Sequence, residues 1–179
     1  MLKVLCENPH RDAQEEPWQL NADKGSSLKG REDTEPISIR PVAAEDLKEV
    51  LEIERSSFTR PYPPSYLETL AHLSPDTFLV AGLGDQIVGY AVFSMRGKTA
   101  HILSLAVHPE RRCRRIGSAL LRKVVETAKS RGASSIRLEV RKSNLPAQRL
   151  YAGAGFSPSH IAHSYYDDGE DAVIMQLAL

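Results

Sequence analysis

The spacing of apolar residues changes several times along the chain, and each change marks an element. Ile37 and Ile39 alternate with polar neighbours in ISIRPV, a short strand that Pro41 ends. In AAEDLKEVLEIERSSF, Leu47, Val50, Leu51 and Phe58 recur at helical spacing. A loop rich in proline and tyrosine, TRPYPPSYLETL, leads into a second short helix. TFLVAGL and QIVGYAVFSM flank Gly84-Asp85, a two-residue hairpin signal, and a turn at Gly97-Lys98 precedes a third strand, TAHILSLAV. Residues 117 to 130 form a helix with Ala119, Leu120, Val124 and Ala128 on one face and Gly132 as its C-cap. SSIRLEV reads as a strand, LPAQRLYAGA as a short helix, and GFSPSHIAHSYY and EDAVIMQLAL as two last strands. Strands first, then a βαβ crossover, then a closing hairpin predict an α+β fold, with helices on both faces of one sheet.

Residues 1 to 36 break this order. Their large apolar residues, Leu2, Val4, Trp18, Leu20 and Leu28, are scattered among polar ones, which predicts a disordered extension before a domain over residues 37 to 179. The bulk numbers then exclude several classes. With 179 residues, 41% hydrophobic and 26% charged, the chain is an ordinary globular one with a sizeable core. Its formal net charge of zero predicts no nucleic-acid or membrane surface. No apolar run is long enough for a spanning helix, and the N-terminus is too quickly charged for a secretory signal. Two cysteines, Cys6 and Cys113, in very different regions argue against a disulfide framework, so a cytoplasmic location is expected.

Candidate chemistry begins at VHPERRCRRIGSALL, where a strand passes through a basic turn into a helix. The first N–H groups of a helix lack intrahelical partners and the dipole adds positive charge, so such a turn suits an anion. Taken alone it is equally a solvated basic turn. Leu105, Ala106 and Val107 taken alone are core strand residues, and Asn144 is a turn former or helix cap. Likewise Glu139 alone is an exposed strand carboxylate, and Tyr151 a helix residue packed on the sheet. No G-x-x-x-x-G-K-[ST] occurs, which removes a P-loop nucleotidase.

Together, SLAVHPERRCRRIGSALL and LEVRKSNLPAQRLYAGAGF resemble the GNAT family of acetyl-CoA-dependent N-acetyltransferases, over roughly residues 37 to 179. The likeness is greatest to its protein N-terminal branch, the ribosomal-protein-alanine and archaeal Nα-acetyltransferases; YYDDGEDAVIM near the C-terminus is similar to that branch too. The resemblance implies the GNAT fold, a central mixed, mostly antiparallel sheet with helices on both faces, and acetyl-CoA as cosubstrate without a metal. It implies that the backbone of Leu105, Ala106 and Val107 binds the acetyl and pantetheine groups. Arg112, Cys113, Arg114, Arg115, Ile116, Gly117 and Ser118 would form the pyrophosphate loop, and Asn144 would bond the CoA arm. The loop departs from the family pattern Arg/Gln-x-x-Gly-x-Gly/Ala: Arg115 stands at the first glycine, and Gly117 keeps the second. A negative φ is expected at Arg115, with its side chain near the CoA phosphates or in solvent.

Glu139 matches the general base of the ribosomal-protein acetyltransferases and Tyr151 their general acid, which also touches the cosubstrate. His101 matches a histidine close to the substrate amine in the archaeal enzymes. Tyr62, Tyr165 and Tyr166 match loops that flank the peptide N-terminus, beside His101 and Glu139. Relatives with a glutamate in the first loop depart from this chain, where Arg60 stands, and that favours Glu139 as the base. The implied partners are protein or peptide N-termini, ribosomal or broader, acting on a monomer or weak dimer. A small-molecule amine acetyltransferase and a regulatory acetyl-CoA-binding subunit are the other readings.

Overall fold

The structure, a computed structural model, describes residues 36–179. The expected extension, with Trp18 and Cys6, lies outside the described residues apart from Pro36. Seven strands form one sheet in the order β1-β2-β3-β4-β5-β7-β6. They are β1 (Ile37–Pro41), β2 (Phe78–Leu83), β3 (Gln86–Arg96), β4 (Thr99–Val107), β5 (Ser135–Arg141), β6 (Ser157–Ala162) and β7 (Ala172–Ala178). The helices are α1 (Leu47–Ser57), α2 (Pro64–Leu73), α3 (Ile116–Ser130) and α4 (Leu145–Gly153). Every predicted strand and helix is present. Only β4 and β5, joined by the α3 crossover, run parallel; every other neighbouring pair is antiparallel.

Two apolar layers sandwich the sheet. On one face, Ile116, Leu120, Leu121, Val124 and Ala128 of α3 pack against Ala91, Phe93, Ile102, Leu105, Ile136 and Leu138. Leu121 joins that buried stripe, while Ala119 is only half-buried. On the other face, Val50 and Ile53 of α1 and Leu67 of α2 cover Phe78, Val80, Tyr90 and Val92. Gly89 sets the closeness of α3 to the sheet. A Cβ there would lie 2.9 Å from the Ala106 carbonyl oxygen and 3.1 Å from Leu120 Cδ1. The Gly84 and Gly97 turns take positive φ, 54° and 59°, as tight hairpins require, and Gly132 closes α3 at 83°.

The parallel ladder between β4 and β5 is short. Thr99, Ala100 and His101 pair with Ser135, Ile136 and Arg137, and there the register ends. Past His101 the strands diverge, while β4 stays paired with β3 as far as Val107. A bulge accompanies the divergence: Val92 faces Ser104 and Phe93 faces Ile102, so Leu103 is the extra residue. The outcome is a cleft whose walls are the ends of two core strands.

Candidate active site

The cleft opens at a pair of side chains, one on the last paired rung of β4 and one two residues past it on β5. His101 Nε2 and Glu139 Oε2 are 2.6 Å apart, and Arg137 holds Glu139 Oε1 at 3.2 Å. Both side chains are largely buried, 16% and 11% exposed. Burial works to raise the Glu139 pKa, but the His101 hydrogen bond and the nearby Arg137 charge outweigh it, so the carboxyl sits below its ordinary value. An ionised carboxylate only accepts, so the His101 Nε2–H donates to Glu139 Oε2.

Tyr151 belongs to α4 and to the core layer on the α3 side of the sheet. Its side chain is fully buried, its ring packs edge-on against Phe156 at 5.8 Å, and its hydroxyl has no hydrogen-bond partner among the described residues. Burial drives its pKa well above the ordinary tyrosine value, so the hydroxyl keeps its proton. An orphaned buried donor of this kind awaits an acceptor that the protein does not supply.

Between β4 and α3 the chain makes a sharp basic turn. The expectation of a negative φ at Arg115 is corrected: Arg115 has φ 62° and ψ 8°, and Cys113 has φ 61°. Between the short 3-10 turn at Pro109–Arg111 and α3, Cys113 and Arg115 both take left-handed φ. The turn thus delivers the chain to the first, unpartnered N–H groups of α3, an arrangement suited to an anion. Cys113, Arg114, Arg115 and Ser118 are exposed, so the Arg115 side chain stands clear of the backbone it strains. Gly117 lies in the first turn of α3, where a Cβ would come only to ordinary contact with Leu150 Cδ2 at 3.4 Å. Nothing in the protein therefore forbids a side chain there.

Two other predicted loop residues have structural partners. Arg112 Nε donates to the Val107 carbonyl at 3.1 Å and its Nη2 to Ser57 Oγ at 3.3 Å, tying the turn to β4 and α1. Asn144 is buried, and its Oδ1 caps α4 by accepting from the Ala147 N–H at 3.2 Å. Beyond Ser118, a groove of about 450 Å³ runs between α3 and α4, lined by Arg122, Arg149, Leu150 and Gly153 among others.

Two loops wall the opposite side. Tyr62, between α1 and α2, stacks 4.9 Å from Tyr66, and burial pushes its hydroxyl up to about 12. Tyr165, between β6 and β7, is half exposed and feels the charges of Glu139 and Arg137. Its neighbour Tyr166 turns inward instead. It is 6% exposed, with the Arg141 guanidinium 4.0 Å over its ring. Arg141 also pairs with Asp168 at 2.9 Å and Glu170 at 2.5 Å, so the acidic loop is anchored rather than merely solvated. Arg60 and Asp167 join the two loops at 2.5 Å.

One residue escaped the sequence reading. Glu54 is 2% exposed; Oε1 accepts the Tyr62 N–H at 2.7 Å, and Oε2 accepts the Tyr90 hydroxyl, which lies 2.9 Å from Ser104. Burial raises its pKa. The available signal was its place on the inward stripe of α1 with Val50, Ile53 and Ser57. Among the described residues no cluster of three metal-ligating side chains exists, and no helix is long and apolar enough to cross a membrane.

The chain is similar to known proteins in sequence and in fold. The acetyltransferase (GNAT) family profile matches residues 47–156. An uncharacterised N-acetyltransferase of Methanocaldococcus jannaschii is 42% identical over 139 residues, covering 76% of this chain and 88% of its own. An N-alpha-acetyltransferase of Sulfurisphaera tokodaii is 32% identical over 156 residues, 79% of this chain and 92% of its own. The crystal structure of the ribosomal-protein-S18-alanine N-acetyltransferase from Escherichia coli superposes with a TM-score of 0.70 at 28% identity, covering 80% of this chain and 94% of that one. With the diverging parallel strands and the basic turn into α3, these likenesses establish that the chain belongs to the GNAT family of N-acetyltransferases.

Proposed function

We propose that the protein transfers acetyl from acetyl-CoA to the α-amino group of protein N-termini. The observation that carries this reading is the juxtaposition of the hydrogen-bonded His101–Glu139 pair with the tyrosine-walled loops at the mouth of the β4–β5 cleft. Relatives named for Nα-acetylation and for ribosomal-protein alanine acetylation support it.

The residues present suit acetyl-CoA. The basic turn at Cys113–Arg115 and the first N–H groups of α3 offer donors for a diphosphate, and Gly117 leaves the backbone open to close approach. The α3–α4 groove, with Arg122 and Arg149, continues from there toward the nucleotide end. The Leu105–Val107 backbone, with no β5 ladder beside it, supplies fixed donors for the acetyl carbonyl and the pantetheine amides. Asn144 contributes by capping α4, which sets the position of Tyr151.

Acetyl transfer makes a new C–N bond as the C–S bond breaks. The attacking amine must be neutral, and an α-amine with a pKa near ~8 needs only a modest base. The His101–Glu139 pair takes up that proton, directly or through one water. The Tyr151 hydroxyl, protonated and otherwise unpartnered, gives a proton to the departing sulfur. Tyr62 and Tyr165 hold the first peptide bonds between rigid rings. CoA release measured with short peptides that begin with Ser, Ala or Met is expected to show turnover. Activity on a polyamine with none on any peptide would instead establish the small-amine reading.

A further inference from the structure

A second polar cavity opens directly behind His101, on the sheet face that α1 and α2 leave uncovered. It holds about 390 Å³ and is lined by Arg96, Thr99, His101, Ser135, Arg137 and Gln176, with Ile136 at its edge. Strand alternation puts these polar side chains on one face, because the intervening Phe93, Ala100, Ile136 and Leu138 belong to the α3 core. Arg137 lies opposite His101 in the β4–β5 ladder, and Arg96 lies opposite Thr99 in the β3–β4 ladder. Two guanidinium groups thus share the cavity, and the nearest carboxylate, Glu139, is already held by His101 and Arg137. Arg96 is exposed and makes no ion pair among the described residues.

Resting on the reading of the acceptor as a peptide N-terminus, we infer that this cavity is an anion subsite for an Asp or Glu side chain at the second or third position of the acceptor. With the amine at His101–Glu139, an extended chain advances about 3.5 Å per residue. From His101 to Thr99 along the same face is about 7 Å, so the third residue comes level with Arg96 and the second falls about one residue short of it, within reach of a long side chain. The Thr99 and Ser135 hydroxyls, 3.1 Å apart, leave one O–H free between them, and Gln176 adds amide donors around the same space. The same field disfavours a cation at these positions, which selects against lysine-rich acceptors and polyamines.

The test uses the full chain and peptides with one first residue and one tail, carrying Asp, Asn or Lys at position two or three. Wild type is expected to show kcat/KM about three- to fivefold higher for Asp than for Asn at one of these positions, expressed in peptide KM, with Lys lowest. R96K keeps that order, R96E reverses it, and the KM for acetyl-CoA stays the same in both. Equal rates for Asp and Asn at both positions in wild type, or an unchanged ratio in R96E, overturn the subsite while leaving peptide acetylation standing. No turnover on any peptide overturns both.

Discussion

At Tyr151 the proposed mechanism and the packing make separate predictions. A tyrosine buried for structure normally finds a partner for its oxygen, yet the Tyr151 hydroxyl, like that of Tyr166, has none among the described residues. Tyr151→Phe removes an unsatisfied donor and leaves the ring packed on Phe156, so stability is expected to hold or to rise by about 1 kcal/mol. The same change is expected to lower kcat by about 10²-fold with the KM for acetyl-CoA nearly unchanged. Thermal unfolding and steady-state rates on one sample check both, and an unchanged kcat removes Tyr151 as the acid. Glu139 carries the opposite signature. Its pKa is depressed, so the carboxylate remains charged through and below the ordinary carboxylate range. The acid limb of kcat/KM is therefore expected above about pH 5, where the amine and not Glu139 gains its proton. A limb inside the range of about pH 4 to 5 contradicts this assignment.

At the scale of elements, the turn into α3 and the loop after α1 show what local pattern reading reaches. The strand, the basic turn and the helix were legible because proline, arginine and glycine mark breaks in an otherwise periodic apolar run. The handedness of Arg115 was not, since it follows from how the 3-10 turn at Pro109–Arg111 must enter a helix already fixed on the sheet. A non-glycine in that conformation costs about 1–2 kcal/mol. Arg115→Gly relieves that strain and adds chain entropy to the unfolded state, so a net gain of about 0.5–1 kcal/mol is expected in denaturant unfolding. A loss of stability contradicts the left-handed assignment. Glu54 was missed for a related reason: its partners, Tyr62 and Tyr90, lie eight and 36 residues away. Glu54→Ala leaves the Tyr62 N–H and the Tyr90 hydroxyl without that acceptor and is expected to cost about 2–4 kcal/mol. A loss below about 0.5 kcal/mol would mean that water replaces the carboxylate.

Across the whole molecule, the order of elements was readable from residues 37 to 179, because each strand alternates or runs apolar and each helix keeps its stripe. The site was readable only through family likeness. His101 and Glu139 are 38 positions apart, and no spacing rule joins them until the α3 crossover sets β4 and β5 side by side. The same crossover, with its short ladder, produces the cleft; the two helical layers then leave one end of the sheet polar and open. Under the proposed function, the basic turn into α3 serves the cosubstrate, and the tyrosine loops near Glu139 serve the acceptor. On that proposal the acceptor is an α-amine, and one near pKa ~8 is far easier to deprotonate than a lysine ε-amine near ~10.4.

The most direct measurement is the position of the acetyl group, read by fragment mass spectrometry, on peptides that carry both a free N-terminus and an internal lysine. The acetyl group is predicted on the α-amine alone, with the yield falling about 10²-fold in Tyr151→Phe. Acetyl on the lysine, or acetylation only of a free polyamine added to the same mixture, would contradict it.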